Sequence, residues 1–250
     1  MKVSIITSCF NREGTIREAI ESVLSQDYPD IEYIVVDGAS TDNSLEIIRE
    51  YKDKIATIIS EPDNGMYEGI NKGISVATGD IIGLLHSDDF LYSQNTISRI
   101  VKAFRYMEAD IVYGNGLFVD GKNTDKVVRN WISGEYSKKK VVRGWLPLHP
   151  TVYIKRSAMD YWGIYDDSYK IAADSDFLVR YLYEATLKVA YLNEYIVKMR
   201  MGGLSTSFKR TKQKWEEDLR MYREHGFNPY RALAGKIISK IPQFISAKFK

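Results

Sequence analysis

The first hundred residues alternate strictly between short β-rich apolar runs and segments whose apolar residues recur at helical spacing. The predicted strands lie at residues 3–8, 32–36, 55–60 and 81–85, and each is followed by a predicted helix. Such alternation is typical of βα units around one sheet, in which successive strands run parallel. The sequence therefore predicts an α/β fold in which a mostly parallel sheet is flanked by helices.

The regular alternation stops near residue 113. A fifth β-rich run opens residues 110–131, which predict short strands and a hairpin, and residues 145–192 predict an irregular cap on the sheet. Helical spacing returns at residues 209–225 and over the last twenty residues, with Pro229 as an interruption between them. The second half is therefore expected to differ in architecture from the first.

Charge is distributed unevenly along the chain. Residues 209–250 hold eleven Lys or Arg against four Asp or Glu, a net charge of +7, whereas residues 1–208 carry −5. A mildly acidic body gives no reason to expect a nucleic-acid partner. We predict one domain over residues 1–205, with halves at 1–113 and 114–205, and a basic helical C-terminal tail over residues 206–250.

The chain has a single cysteine, Cys9, so it cannot form an internal disulfide, and this fits a reducing compartment. The apolar run at the N-terminus is too short for a signal-peptide core, and no stretch of 18 apolar residues occurs. We therefore expect a cytoplasmic protein that does not span a membrane.

Polar side chains follow all four strands predicted in the first half. The first strand leaves through Thr7, Ser8, Cys9, Phe10, Asn11, Arg12 and Glu13, the second ends in Asp37 to Asp42, the third leads to Glu61 to Gly65, and the fourth runs into His86 to Asp89. In an open parallel sheet, ligands bind beyond the carboxyl ends of the strands, because loops and helix N-termini converge there. The sequence therefore predicts an acidic ligand site at this edge.

The second and third strand ends carry residues with different expected roles. Residues 40–43 are all preferred N-cap types, and one of them is expected to cap the following helix. Asp37 directly follows the apolar residues 34–36 and precedes the turn, which favours a ligand role. Asp63 lies in a sequence typical of a turn, so turn and ligand roles both stay open for it.

Asp88 and Asp89 carry the sharpest signal in the chain. Adjacent carboxylates after a buried strand repel each other, and a divalent cation or solvent exposure is the usual compensation. Hard oxygen ligands suit Mg²⁺ or Mn²⁺, which completes its shell with water and phosphate oxygens. The pair therefore predicts a metal that bridges the protein to a diphosphate, and an exposed acidic loop is the alternative.

Several other chemistries lose their support because their motifs are missing from the sequence. It has no G-x-x-x-x-G-K-[ST] phosphate loop, no G-x-G-x-x-G after the first strand, no G-x-S-x-G nucleophile elbow and no paired cysteines for zinc. Kinase, dehydrogenase, serine-hydrolase and zinc-enzyme functions are therefore not expected.

Over residues 1–205 the chain resembles the family 2 glycosyltransferases, which have the Rossmann-like GT-A fold. The matching segments are residues 3–11 with a following acidic residue, VVDGASTD at 35–42, EPDNGMYEGINKG at 61–73, ATGDIIGLLHSDD at 77–89, residues 148–156 and residues 173–176. The resemblance implies an inverting transferase that takes a sugar from a nucleotide diphosphate donor with the help of Mg²⁺ or Mn²⁺.

The resemblance also implies roles for individual residues. Phe10 is similar to the aromatic residue beside the nucleobase, Asp37 to the aspartate that binds the base, and Asp89 to the direct metal ligand. Asp88 would contact the metal and ribose, and the remaining donor-site residues would be Thr7, Ser8, Arg12, Glu13, Asp63, Lys72 and His149. A UDP-sugar is favoured on the family pattern, with a hexosyl or N-acetylhexosaminyl group.

Asp174 matches the family's catalytic base, which takes the proton of the acceptor hydroxyl as that oxygen attacks the sugar. Asp176 is the rival candidate, and a helix N-cap is the structural alternative for Asp174. Residues 202–205 are expected either to close over the diphosphate through backbone N–H groups or to form a plain turn.

Two other functions stay open. A nucleotidyltransferase would need a basic glycine-rich loop that is missing, and a non-catalytic nucleotide-sugar binding protein would not need Asp174 and Asp89 together. Processive synthases carry a Q-x-x-R-W motif that this sequence lacks, so single-sugar transfer to a glycan or polyprenyl-linked acceptor of bacterial surface polysaccharide synthesis is expected.

The apolar face of residues 230–250 predicts peripheral contact with an anionic membrane, at the inner face of the cell membrane. That face consists of Leu233, Ile237, Ile238, Ile241, Phe244 and Ile245, with Lys236 and Lys240 beside it, Lys248 within the apolar arc and Pro242 expected to kink the helix. The alternative is a helix packed on the core or on a partner subunit.

Overall fold

The computed structural model describes residues 1–202, 211–240 and 242–243, and of residue 211 only the backbone. The strands of these ranges are β1 (Val3–Cys9), β2 (Ile31–Asp37), β3 (Thr57–Ser60), β4 (Ile81–Leu84), β5 (Phe90–Leu91), β6 (Ile111–Val119), β7 (Val127–Trp131), β8 (Tyr153–Lys155) and β9 (Val189–Arg200). The helices are α1 (Ile16–Leu24), α2 (Ser44–Arg49), α3 (Met66–Val76), α4 (Thr96–Met107), α5 (Lys138–Val142), α6 (Arg156–Trp162), α7 (Ala173–Val179), α8 (Thr211–Glu224) and α9 (Pro229–Ile238).

All nine strands join one sheet, in the order β3-β2-β1-β4-β8-β6-β9-β5, with β7 paired to β6. β1 lies parallel between β2 and β4, and β2 lies parallel to β3. Antiparallel pairs appear where β8 joins β4 to β6, although β6 and β9 again run parallel over most of their length. The predicted α/β fold with a mostly parallel sheet is therefore confirmed.

The order of the first strands decides where a ligand can enter. The chain adds β2 and β3 on one side of β1 and then β4 on the other, so the strand order reverses at β1. Connections that leave in opposite directions open a crevice beyond the carboxyl ends of β1 and β4. The polar strand ends singled out in the sequence lie around this crevice.

The core covers both faces of the sheet because side chains alternate along each strand. Ile6 of β1 faces the side covered by α3 and α7, and Ile5 faces the side covered by α1 and α4. A Cβ atom on Gly73 would lie 2.4 Å from Cγ2 of Ile6, so only glycine lets α3 approach β1 this closely. This contact fixes the position of α3 beside the crevice.

The irregular second half contains two departures from helix and strand regularity. Residues His149–Thr151 form a 3₁₀ turn, and β8 begins after it, at Tyr153. After α7 the chain continues as a π-helical segment, Arg180–Glu184. The predicted hairpin at residues 110–131 is present as the antiparallel pair of β6 and β7.

The helices α8 and α9 pack against the body of the protein. Tyr222 of α8 and Ala232 of α9 are fully buried in the same core cluster as α7. Pro229, predicted as an interruption, is the first residue of α9, where its missing N–H is tolerated, and the Asn228 side chain accepts a hydrogen bond from the backbone of Arg231. The domain boundary near residue 205 stays a prediction.

Candidate active site

The loop after β1 is tied to the loop after β2 by hydrogen bonds between their side chains and backbones. Asn11 has a left-handed backbone (φ 52°), and its side chain accepts a hydrogen bond from Thr41 N–H at 2.8 Å. Glu13 accepts from Asn43 N–H at 3.0 Å, at the start of α2. Asn43 is the N-cap residue but its side chain makes no capping bond, and Asp42 accepts the N–H of Ser44, the first residue of α2, at 2.9 Å.

Asp37 ends β2 and is fully buried. Its carboxylate accepts hydrogen bonds from the Ser60 hydroxyl at 2.9 Å and from Ser40 N–H at 3.2 Å. Asp37 therefore holds the ends of β2 and β3 together at the crevice.

The first strand presents its residues to different environments. The Thr7 side chain is buried, and its hydroxyl accepts a hydrogen bond from Tyr33 at 3.1 Å. Ser8 lies under α3, because a Cβ atom on Gly69 would be 2.6 Å from its hydroxyl oxygen. Phe10 leaves the core, with 55% of its surface exposed, and offers an apolar ring at the rim.

The loop between β3 and α3 brings Asp63 close to the end of β2. A Cβ atom on Gly38 would lie 2.5 Å from Oδ2 of Asp63, while Oδ1 accepts a hydrogen bond from Gly65 N–H. Burial raises the pKa of Asp63 above its ordinary value. Lys72 braces this loop, since it donates to the Pro62 carbonyl at 2.8 Å and pairs with Glu61 at 3.0 Å. Both roles left open for Asp63, turn and site, agree with this geometry.

Asp89 has one satisfied and one unsatisfied carboxylate oxygen. Oδ1 accepts a hydrogen bond from Arg200 N–H at 3.0 Å, whereas Oδ2 is buried with no partner among residues 1–202, 211–240 and 242–243. Burial, together with the charge of Asp88, raises the pKa of Asp89 well above its ordinary value. A buried unpaired carboxylate is costly, and a divalent cation removes that cost. The donor set therefore fits Mg²⁺ or Mn²⁺.

Asp88 lies at the opening of the same site. Arg12 approaches its carboxylate at 3.9 Å, and Arg200 donates to its backbone carbonyl at 2.8 Å while also contacting Glu18. Within the described ranges, no group of three or more His, Cys, Asp or Glu side chains is arranged to hold a metal. A cation at Asp88 and Asp89 would therefore need oxygen ligands from water or from a bound phosphate.

Asp174 lies in the first turn of α7, facing the crevice from the opposite side. Its Oδ1 accepts a hydrogen bond from Ser175 N–H at 2.6 Å, and the N-cap of this helix is Ala172. Glu217 of α8 accepts the Ala172 N–H, so α8 performs the capping that the sequence left open for Asp174.

The charge of Asp174 is stabilised by neighbouring basic side chains. Burial opposes its ionisation, but His149, in the acid range where its ring is protonated, and the charges of Lys236 and Lys214 outweigh burial and hold the pKa of Asp174 below the ordinary value. Burial also lowers the pKa of His149 to about 4, so the imidazole is neutral near neutral pH. Asp174 is therefore an ionised proton acceptor, and the two lysines are its cationic neighbours.

Asp176, the rival candidate, is occupied by other side chains. It accepts from His225 at 2.8 Å and pairs with Arg180 at 3.1 Å, and it is 8% exposed. These contacts direct its carboxylate toward α8 and the π-helical segment. Asp176 therefore has ion-pair partners, whereas Asp174 forms no ion pair among the described residues.

Two neighbouring histidines lie in the part of the site that contains both Asp88 and Asp174. The rings of His86 and His149 lie 6.2 Å apart, and His149 is hydrogen bonded to Tyr165 at 2.7 Å. His86 is electrostatically coupled to both Asp88 and Asp174. The structure therefore brings the ends of β1, β2 and β4 and the start of α7 to one crevice.

Sequence reasoning missed Arg200, Lys214, Lys236 and Glu217. Arg200 is the last residue of β9, and the other three lie on α8 and α9, far from the motifs along the chain. The net charge of the tail was the one signal that pointed to the lysines. Gly203, Leu204 and Ser205, expected either to close over a diphosphate or to form a plain turn, lie outside the described residues.

The fold defines the class first: this is an α/β protein of the GT-A type, with acidic residues at the ends of its parallel strands. Residues 4–171 match the model of Glycosyl transferase family 2. The chain therefore belongs to this family, and it is a glycosyltransferase.

Relatives and solved structures agree with this assignment. The chain is 27% identical over 213 residues to a PGL/p-HBAD biosynthesis glycosyltransferase of Mycobacterium bovis. The alignment covers 82% of this chain and 79% of the relative. The fold of this chain is similar to that of TarS 1–349 from S. aureus, with a TM-score of 0.70 and 20% identity over 88% of this chain. TarS 1–349 has also been solved with UDP and with UDP-GlcNAc.

A mannosyltransferase from Pyrobaculum calidifontis, in complex with GDP-Man and Mn²⁺, has a TM-score of 0.66 and 16% identity, covering 98% of this chain and 73% of that one. The chain spans 64% of TarS 1–349. No helix among the described residues is long and apolar enough to cross a membrane.

Proposed function

We propose that this glycosyltransferase is inverting and metal-dependent, and that it moves one hexosyl or N-acetylhexosaminyl group from a nucleotide diphosphate to a hydroxyl group. The acceptor is a glycan or a polyprenyl-linked intermediate of bacterial surface polysaccharide synthesis. One observation carries the proposal: Asp89 has a buried oxygen without a partner among the described residues, and the charges of its neighbour Asp88 and of Asp174 both act on His86. Inversion needs one group that stabilises the leaving diphosphate and one base on the opposite side.

Asp88 and Asp89 would hold Mg²⁺ or Mn²⁺, and the cation would supply charge neutralisation of the leaving diphosphate. Arg200 orients Asp89 through its backbone N–H and supports Asp88 through its guanidinium. Arg12 adds a positive charge at the opening of the site. The Mn²⁺ in the mannosyltransferase complex supports this assignment.

Asp174 acts as the general base in this proposal. Its carboxylate is ionised, and its cationic neighbours keep it so, which makes it a weak base that accepts the proton late in the attack. His149 is neutral and held by Tyr165, so it orients the crevice wall beside Asp174 and adds no charge.

The donor nucleotide lies across the ends of β1 and β2. The exposed ring of Phe10 stacks beside the base, and Asp37 with its neighbours Ser8 and Asp63 lines the floor. Thr7, Glu13 and Lys72 support this surface by holding the strand end and the two loops. UDP is the favoured nucleotide, and the UDP complexes of TarS support it, whereas GDP-Man in the mannosyltransferase is the contrasting case.

The tail is proposed to contact an anionic membrane surface from the inner face of the cell membrane. Tyr230, Ile237 and Ile238 of α9 are exposed, and together they form an apolar surface. Lys236 does not flank that surface, because it turns inward to pair with Asp218 at 2.7 Å. Residues 241 and 244–250, which complete the predicted face, lie outside the described residues.

A donor screen tests the function. Thermal unfolding is measured with UDP-, GDP- and dTDP-sugars, with Mn²⁺ or with EDTA, and release of the free nucleotide is followed in parallel. Ligand at 100 times its Kd stabilises the native state by about 2.7 kcal/mol, so a UDP-sugar with Mn²⁺ should raise Tm by about 5–10 °C. Metal-dependent binding without any nucleotide release would favour a non-catalytic binding protein, and no stabilisation by any donor would overturn the proposal.

A further inference from the structure

Four basic side chains gather beside the crevice, on segments that the family motifs do not include. Arg129 comes from β7, Lys214 from α8, Lys236 from α9 and Lys240 from the turn that follows α9. Each is only partly exposed, and Lys240 is electrostatically coupled to the other three. We call these four residues the basic cluster.

The basic cluster holds more positive charge than its surroundings neutralise. Lys236 pairs with the buried Asp218 at 2.7 Å, but Lys214 and Lys240 form no ion pair within the described ranges. The segments outside those ranges, residues 203–210, 241 and 244–250, contain four Lys or Arg and no Asp or Glu. Asp218 and Asp174 are the carboxylates whose charges act on Lys214, and Asp218 acts on Lys240, so two carboxylates face four cations.

Burial of unpaired cations is unfavourable, and the pKa values of the cluster reflect it. Burial, together with the charges of Lys236, Lys214 and Arg129, lowers the pKa of Lys240 to about 8. The hydroxyl of Tyr222, buried close to Lys236, also has no hydrogen-bond partner among the described residues. Buried polar groups normally have a partner, so an anion that accepts several hydrogen bonds would satisfy this environment.

The cluster lies on the Asp174 side of the crevice. Lys236 donates to the Ser175 hydroxyl at 2.9 Å, and Ser175 is the neighbour of Asp174. Asp88, proposed for the donor side, is contacted by other cations, Arg12 at the end of β1 and Arg200 at the end of β9. Two separate groups of cations therefore serve two different parts of the crevice.

We propose that the basic cluster binds a phosphate group of the acceptor, next to the hydroxyl that Asp174 deprotonates. This inference rests on the proposed transferase function and adds the chemical class of the acceptor. A phosphate accepts several charge-assisted hydrogen bonds from lysine and arginine at once, and it compensates the charge that Lys214 and Lys240 leave open. The phosphate can belong to a prenyl phosphate or to a lipid-free phosphorylated glycan.

The test uses the full chain with its donor site saturated by UDP and Mg²⁺. Inorganic phosphate and geranyl monophosphate are titrated separately, at constant ionic strength kept with chloride, and binding is measured by calorimetry. Lys214→Ala and Lys240→Ala are compared with Lys212→Ala, which removes an exposed lysine of the same helix that pairs with Glu216. Circular dichroism and Tm confirm that each variant is folded, and Lys214→Arg tests whether a positive charge restores binding.

We expect each cluster variant to bind both phosphates about tenfold or more weakly, because a charge-assisted hydrogen bond contributes roughly 1.5–3 kcal/mol. Lys212→Ala and Lys214→Arg should bind them as the wild type does, and UDP affinity should be unchanged in all variants. Tighter binding of geranyl monophosphate than of inorganic phosphate identifies a lipid-linked source, and equal binding identifies the phosphate alone.

Two results would overturn the inference. If the wild type saturated with UDP binds neither phosphate, the cluster is not an anion site. If the cluster variants lose UDP affinity instead, the cluster belongs to the donor diphosphate. Failure of the transferase function itself is seen separately, as an absence of nucleotide-sugar binding by the wild type, and the phosphate titration is then repeated without UDP.

Discussion

At the scale of single residues, Asp89 and Asp174 carry opposite electrostatic environments within one crevice. Burial and the neighbouring Asp88 disfavour the charge of Asp89, whereas Lys236 and Lys214 favour the charge of Asp174. Groups whose surroundings push their pKa values apart are typical of sites that divide two chemical roles. The site therefore contains one carboxylate whose charge is disfavoured unless a cation is bound and one whose charge is favoured by its neighbours.

Asp89→Asn tests the first of these roles. The substitution removes an unpaired buried charge, so without metal the variant should have a higher Tm than the wild type. The expected rise is about 2–4 °C for each 1 kcal/mol added to the free energy of unfolding. Mn²⁺ should no longer stabilise it, and sugar transfer should be lost. Tm with Mn²⁺ or EDTA and the turnover rate are measured beside those of Asp160→Asn, an exposed carboxylate on α6. Near-normal turnover of Asp89→Asn in EDTA would contradict the metal assignment.

Asp174→Asn tests the base. It keeps the size of the side chain and removes its basicity, so turnover should fall by about 10²-fold or more while donor affinity is retained. Asp176→Asn is the matched variant, and it should lower Tm with a smaller effect on turnover because it weakens the contacts to His225 and Arg180. The opposite pattern, with turnover lost in Asp176→Asn only, would move the base to Asp176.

At the scale of secondary-structure elements, α8 holds α7 in place from outside the sheet. Glu217 caps the start of α7, and His225 joins the end of α8 to Asp176 at 2.8 Å and to Glu184 at 2.5 Å. The first turn of α7 carries Asp174, so these contacts of α8 position the candidate base. Helix α8 is therefore part of the architecture of the site.

His225 gives this contact a pH dependence. Burial opposes protonation of His225, but the hydrogen bonds to Asp176 and Glu184 outweigh it and raise its pKa above the ordinary value of about 6.5. Since the folded-state pKa is raised, the stabilisation is fully present below the ordinary histidine pKa and is lost as pH rises through the raised value. The Tm difference between wild type and His225→Gln should therefore shrink with rising pH over this window.

Melting curves from pH 5.5 to pH 9 provide this measurement, because other titrating groups are common to both proteins. A Tm difference that grows with pH, or one that stays constant, would show that the protonated imidazole does not stabilise the contact.

At the scale of the whole molecule, the positive charge of the tail and the acidity of the body meet at the crevice. The tail has a net charge of +7 and the body −5, yet two of the tail's lysines turn toward Asp174. The exposed side of α9 presents Ile237 and Ile238 instead, with exposed fractions of 45% and 63%. Membrane contact, if α9 makes it, therefore uses this apolar side, and the inward lysines serve the site.

The double substitution Ile237→Ser with Ile238→Ser tests membrane contact without removing the helix. Sedimentation with phosphatidylglycerol liposomes at low salt should fall relative to the wild type, because less apolar surface enters the interface. Tyr106→Ser on α4 is the matched control, because Tyr106 is 84% exposed, and this variant should sediment as the wild type does. Equal sedimentation of the double variant and the wild type would support the packed-helix alternative.

Local patterns in the sequence predicted the first half well. Strand positions, the carboxylate pair after β4 and the polar ends of β1 and β2 follow from apolar periodicity and from the rule that ligands meet the carboxyl ends of parallel strands. The 3₁₀ turn at His149–Thr151 and the true start of β8 were not predicted, because neither has a strong periodic signal.

The sequence by itself determined the α/β class, the family resemblance and which strand ends carry acidic side chains, since these depend on residues close together along the chain. Only the tertiary structure decided that Asp176 is occupied by His225, that Glu217 caps α7 and that Lys214 and Lys236 lie beside Asp174. These contacts join residues some 40 to 60 positions apart. Packing of α8 and α9 onto α7 creates them, and no local periodicity specifies which buried faces will meet.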